Sequence, residues 1–88
     1  MTISEVKATV IANGGHFFDR DTMKYWGTRI ETGVFKNGCF VTSEDNYNKT
    51  KRLYTVCRFN GKSIGIIGDF QQYETKEAAR KAARLYSK

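Results

Sequence analysis

The sequence predicts an α+β domain: a twisted antiparallel sheet of about four strands packed by a carboxy-terminal amphipathic helix, with a short helix at the amino terminus. Three observations predict it. Two Asn-Gly dipeptides, Asn37-Gly38 and Asn60-Gly61, each interrupt a β-rich run. Asn-Gly is the strongest short-range hairpin signal, because a type I′ turn needs positive φ at both central residues. The stretch "TKEAARKAARLYSK", Thr75 to Lys88, separates alanines from cations at helical spacing. The 88 residues contain no proline and no linker-like segment, so residues 1–88 read as a single domain.

In chain order, Ile3, Val6 and Val10 recur at helical spacing, and Thr2 and Glu5 have the spacing of a capping box. Asn13, Gly14 and Gly15 offer a stop, which places a first helix from about Ile3 to Ala12, although "ATVIA" equally fits a strand. In "HFFDRDTMKYWG", Asp19 or Asp21 can cap one or two turns ending at Gly27, with Phe17, Phe18, Met23 and Trp26 as apolar anchors. The period then changes to two. "TRIETGVFKNGCFVTSE" and "KRLYTVCRFNGKSIGIIGDF" each read as a hairpin, joined by the polar loop "EDNYNKTK". Thr75 is the N-cap of the last helix, and Glu74 and Glu77 lie favourably near its positive end.

Two-residue turns set the expected faces. At Asn60-Gly61 such a turn pairs Phe59 with Lys62, Cys57 with Ile64 and Thr55 with Ile66, so Leu53, Cys57, Phe59, Ile64 and Ile66 form the core side. The reverse carries Arg52, Tyr54, Val56, Arg58, Ser63 and Ile67, a basic-aromatic face turned outward. In the first hairpin the same logic groups Ile30, Val34, Cys39 and Val41, and sends Arg29, Phe35 and Phe40 to the reverse. On the last helix Leu85, Ala78, Ala82, Tyr86 and Ala79 cover one arc, and Lys76, Arg80, Arg84, Lys88 and Lys81 cover the other.

The charge is uneven. Residues 1–44 hold five Lys/Arg and five Asp/Glu, whereas residues 45–88 hold ten Lys/Arg and four Asp/Glu, so the whole +6 lies in the second half. Glu77 is nearly the only acid among the cations of the last helix. A polyanionic partner, DNA or RNA, follows as the expectation. Lys76, Arg80, Lys81 and Arg84, or Arg52 and Arg58, are its candidate phosphate contacts, and Tyr54 its candidate stacking residue.

Other chemistry is sparse. His16 is the one histidine, and a metal site from His16, Cys39 and Cys57 would need three scattered segments to converge, so no metal and no cofactor are expected. The two cysteines fall in predicted strands and read as free, small, buried thiols. "GKSIGIIG" is neither a P-loop nor a dinucleotide fingerprint, and Asp19 and Asp21 beside His16 lack a nucleophile elbow or oxyanion loop, so no enzyme is expected. No apolar run approaches the roughly 20 residues that span a bilayer, and "MTISEVKATVIANGG" lacks the features of a signal peptide. The expectation is a cytoplasmic protein without a membrane partner.

Three resemblances accompany these readings. The helix, antiparallel sheet and closing helix "TKEAARKAARL" resemble the double-stranded-RNA-binding domain; Thr75, Lys76, Ala79 and Arg80 match its final-helix pattern, with Glu77 where a second lysine is usual. "GDFQQYETKEAARKAARLY" after a basic hairpin resembles the end of AP2-type modules and of integrase amino-terminal domains, which implies DNA reading by a sheet face carrying Arg52, Tyr54 and Arg58. "NGGHFFDRDTMKYWGTRIETGVF", "RLYTVCRF" and "GDFQQYETKEAA" resemble a family of small uncharacterised bacteriophage and mobile-element proteins. That likeness implies a phage setting, in the host cytoplasm, and an alternative role as an inhibitor or adaptor of a host protein or ribonucleoprotein complex, anti-CRISPR proteins among them. Phe35, Phe40 and Tyr54 are the candidate anchors for that interface, and pairing of exposed sheet edges leaves a homo-oligomer open.

Overall fold

The first helix, α1 (Ile3–Ala12), begins with the capping box its sequence encodes. The Glu5 amide donates to Thr2 Oγ1 at 3.2 Å and the Thr2 amide donates to Glu5 Oε1 at 2.8 Å. The bond from the Thr2 amide, with the Thr2 hydroxyl beside it, holds the Glu5 carboxyl below its usual range. Val6 and Val10, one turn apart, carry the buried stripe. In the computed structural model, residues 1–45 and 50–87 are described. The loop "EDNYNKTK" and the terminal Lys88 of the basic arc therefore lie partly or wholly outside the described residues.

Helix α2 (Arg20–Trp26) starts after Asp19, whose carboxylate forms no cap. Asp19 Oδ2 instead lies 2.7 Å from His16 Nδ1, so the expected cap is replaced by an exposed local pair. Phe18 is buried, whereas Trp26 is 40% exposed and does not serve as the expected core anchor.

Four strands follow: β1 (Arg29–Ile30), β2 (Cys39–Asp45), β3 (Arg52–Phe59) and β4 (Ile64–Ile67). They form an antiparallel meander in the order β1-β2-β3-β4. After β4 the chain bridges back to β3 through paired Tyr54 and Tyr73 backbones, and then enters α3 (Lys76–Leu85) with Thr75 Oγ1 accepting from the Ala78 amide at 3.2 Å. No helix among the described residues is long and apolar enough to cross a membrane.

The sheet is buried on both faces. One face carries Phe40, Cys57 and Phe59 against Val6, Val10 and Phe18, with Ile30, Val34 and Ile64 at the margin. The other carries Cys39, Val41 and Val56 against Ala79 and Ala83 of α3, with Phe35, Tyr54, Ile67 and Tyr86 around them. The unbroken apolar runs Cys39-Phe40-Val41 and Val56-Cys57 are the pattern that two-sided burial requires. The alanine stripe lets the α3 backbone lie close over β2 and β3.

Both hairpins correct the expected register. At the second, Phe59 faces Ile64 and Cys57 faces Ile66, because the turn uses four residues, Asn60 to Ser63. The shift of two preserves the faces. Even so, Ile66 on the edge strand is 45% exposed and is not core. At the first, a two-residue turn would set Thr42 against Gly33, yet Thr42 faces Ile30, an offset of three. An odd offset exchanges faces, so Ile30 and Val34 join Phe40 while Phe35 joins Cys39 and Val41.

Candidate functional site

Helix α3 presents the cations that the sequence placed on it. At about 100° per residue, its buried arc runs through Ala79, Ala82, Ala83 and Tyr86. Lys76, Arg80 and Arg84 follow one another along one flank, with Lys81 further round, and all four are exposed. Leu85, expected on the apolar arc, is 63% exposed on the opposite flank. Lys76 Nζ lies 3.6 Å from Glu31 Oε1, a half-exposed contact of the kind that contributes little. Arg80, Lys81 and Arg84 have no acid within ion-pairing distance among the described residues.

Beside this row lies a groove of about 290 Å³ lined by Glu31, Thr32, Gly33, Phe35, Lys76 and Arg80. The β1–β2 connection forms its floor, and three bonds fix that connection. The Glu31 amide donates to Val41 O at 2.8 Å, the Val41 amide donates to Thr32 Oγ1 at 3.0 Å, and the Phe35 amide donates to Cys39 O at 2.8 Å. Glu31 Oε2 accepts from Ser43 Oγ at 2.6 Å, which aims the carboxylate along the groove wall.

The other expected site residues have structural duties. Arg52 donates from Nε to Ser43 Oγ at 2.9 Å and from Nη1 to Asp45 Oδ1 at 3.0 Å. Its Nη2 donates to Ser43 O and to Gly27 O, tying the end of α2 to β2. Arg58 donates from Nε to Asn37 O at 3.0 Å, and its guanidinium lies 5.8 Å from the Tyr86 ring centroid. Tyr54 is half-buried beside α3. The basic-aromatic sheet face expected to point outward is therefore the face that α3 covers. Phe40 is 0% exposed and is no surface anchor, whereas Phe35 lines the groove.

Two features escaped the sequence reading. Tyr25, Trp26 and Phe70 form an exposed edge-to-face cluster, with ring centroids 4.9 Å and 5.2 Å apart. Trp26 and Phe70 come from separate segments, so only the exposed faces of a seven-residue helix could have signalled them. Glu44 is buried at 3% exposure and accepts from Thr42 Oγ1 at 2.6 Å and Thr55 Oγ1 at 2.8 Å. Burial pushes its pKa up, against the opposing pull of the two hydroxyls and Arg52. With both oxygens engaged inside the sheet layer, Glu44 orders the strands.

The thiols of Cys39 and Cys57 are free and buried on opposite faces of the sheet, and His16 is exposed elsewhere. Burial pushes the Cys57 thiol up to about 12, which keeps it protonated and inert.

Fold and site define a class: a three-layer α+β domain whose antiparallel meander carries a helix with a basic flank, of which Arg80, Lys81 and Arg84 meet no acid among the described residues. The chain belongs to a family of unknown function, DUF7447, whose model matches residues 2–84 and so takes in the groove and the basic row through Arg84. No curated protein and no solved structure matches it.

Proposed function

We propose that this chain is a small non-catalytic nucleic-acid-binding protein that lays the row Lys76, Arg80 and Arg84, with Lys81 beside it, along a phosphate backbone. The observation that carries the reading is the lack of acidic partners for Arg80, Lys81 and Arg84 among the described residues, on a chain of net charge +6. Like charges held together on one helix repel, and a docked polyanion relieves that cost. With three or four of these cations on phosphates, log affinity falls against log salt with a slope of about −2.7 to −3.6 on duplex DNA and about −2 to −3 on a single strand. Reversing Arg80 and Arg84 to glutamate should abolish binding while the unfolding midpoint stays put. Wild-type affinity in that double variant overturns the reading.

The second reading is a phage-type inhibitor or adaptor that docks on a host protein complex. Its support is the Tyr25–Trp26–Phe70 cluster, since exposed aromatics of this kind dominate protein-interface hot spots. If Trp26→Ala removes a function that the Arg80/Arg84 reversal leaves intact, this reading replaces the first.

A further inference from the structure

The groove next to the basic row combines an aromatic wall, a carboxylate and two cations within a volume of about 290 Å³, at the small end of the range of ligand pockets. Phe35 is half-buried, with its ring backed by the Cys39–Val41 cluster and its backbone fixed at the turn, so it presents a rigid face. Gly33 leaves the floor open, since a Cβ built there meets nothing within 4 Å. Lys76 and Arg80 stand on the α3 side, one turn apart. Glu31 stands on the other, half-buried, with Oε2 occupied by Ser43 and Oε1 facing Lys76 across 3.6 Å.

A phosphate alone is a poor fit, because Glu31 repels it from the groove interior. A nucleobase fits each group: a π-face for stacking on Phe35, exocyclic amino donors for Glu31 Oε1, and flanking phosphates for Lys76 and Arg80. The geometry points to a seat for one unstacked base of a single-stranded nucleic acid, with the strand continuing along the row to Arg84. Duplex bases are stacked inside their helix and cannot enter, so the groove discriminates single from double strands. This inference rests on the reading of α3 as a phosphate-binding helix, and it adds to that reading which strand form is preferred.

The test measures binding of a fluorescent single-stranded 12-mer and of a duplex of the same length by anisotropy. Phe35→Leu keeps apolar bulk and removes the π-face, so single-strand affinity should fall by about 5- to 150-fold, with duplex affinity unchanged. Phe35→Tyr, which restores the face, should restore binding. Gly33→Leu fills the open floor without touching the core, and should reproduce the selective loss even if Phe35→Leu disturbs the fold. If Phe35→Leu and Gly33→Leu both bind the single strand like wild type while the Arg80/Arg84 reversal abolishes binding, the base seat is wrong and the phosphate-binding helix stands. If the reversal also has no effect, both fall. An equal loss on single strand and duplex in the groove variants overturns the base seat as well.

Discussion

The two Asn-Gly sites share one local signal and perform different work. At Asn60-Gly61 everything is local: Asn60 Oδ1 accepts from the Lys62 and Ser63 amides at 2.9 Å each, and a Cβ on Gly61 would meet nothing. At Asn37-Gly38 the same dipeptide joins two distant segments, the end of α3 and β3. Asn37 Nδ2 donates to Ala83 O at 2.8 Å and to Tyr86 O at 3.0 Å, and so caps the carboxy-terminal end of α3, which lacks a C′ glycine. Its Oδ1 accepts from the Cys39 amide, and its carbonyl accepts from Arg58. In both places only the glycine takes positive φ, so neither turn is the type I′ turn that the dipeptide signals, and the surroundings decide whether the asparagine side chain becomes a tertiary joint.

The glycines offer the largest test of this contrast. Gly38 has φ +87 and a Cβ there would lie 2.9 Å from Phe59 O, whereas Gly61 has φ +103 in open space. Gly38→Ala should cost about 2 to 4 kcal/mol, combining left-handed strain with a backbone clash, and Gly61→Ala about 1 to 2 kcal/mol from strain alone. Urea unfolding with an unchanged m-value measures both; equal costs would make the two turns equivalent and break the comparison.

The asparagines come next, through one identical change. Aspartate cannot donate to Ala83 O or Tyr86 O, and it sets a negative charge at the negative end of α3. Asn37→Asp should therefore cost about 2 to 3 kcal/mol. Asn60→Asp keeps the acceptor that the turn uses, and should stay within about 0.5 kcal/mol of wild type. A tolerated Asn37→Asp would show that the α3 end is satisfied by solvent.

The smallest effect concerns the flanking cations. Arg58→Lys loses the Nε donor to Asn37 O and the stacked plane over Tyr86, for about 1 kcal/mol. Lys62→Ala, on the exposed turn, should fall within about 0.5 kcal/mol. Reversed magnitudes would move the joint to the second hairpin.

Much of this molecule was legible from neighbouring residues. The α1 capping box, the Thr75 cap, the strands on either side of Asn60-Gly61 and the one after Asn37-Gly38, and the basic flank of α3 all depend on groups a few positions apart, and the sequence by itself determined them; the strand before Asn37 shrinks to Arg29–Ile30. Short-range hydrogen bonds and side-chain periods of 3.6 and 2 need no knowledge of the rest of the chain. Only the tertiary structure decided which sheet face α3 covers, that Tyr54 and Arg58 lie beside α3 while Arg52 ties α2 to β2, and that Phe35 borders a groove beside Arg80. The physical reason is parity. A connection longer by an odd number of residues exchanges the faces of a strand, and the length that Thr32 and Asn37 stabilise between β1 and β2 depends on Val41, Ala83 and Tyr86 arriving from elsewhere.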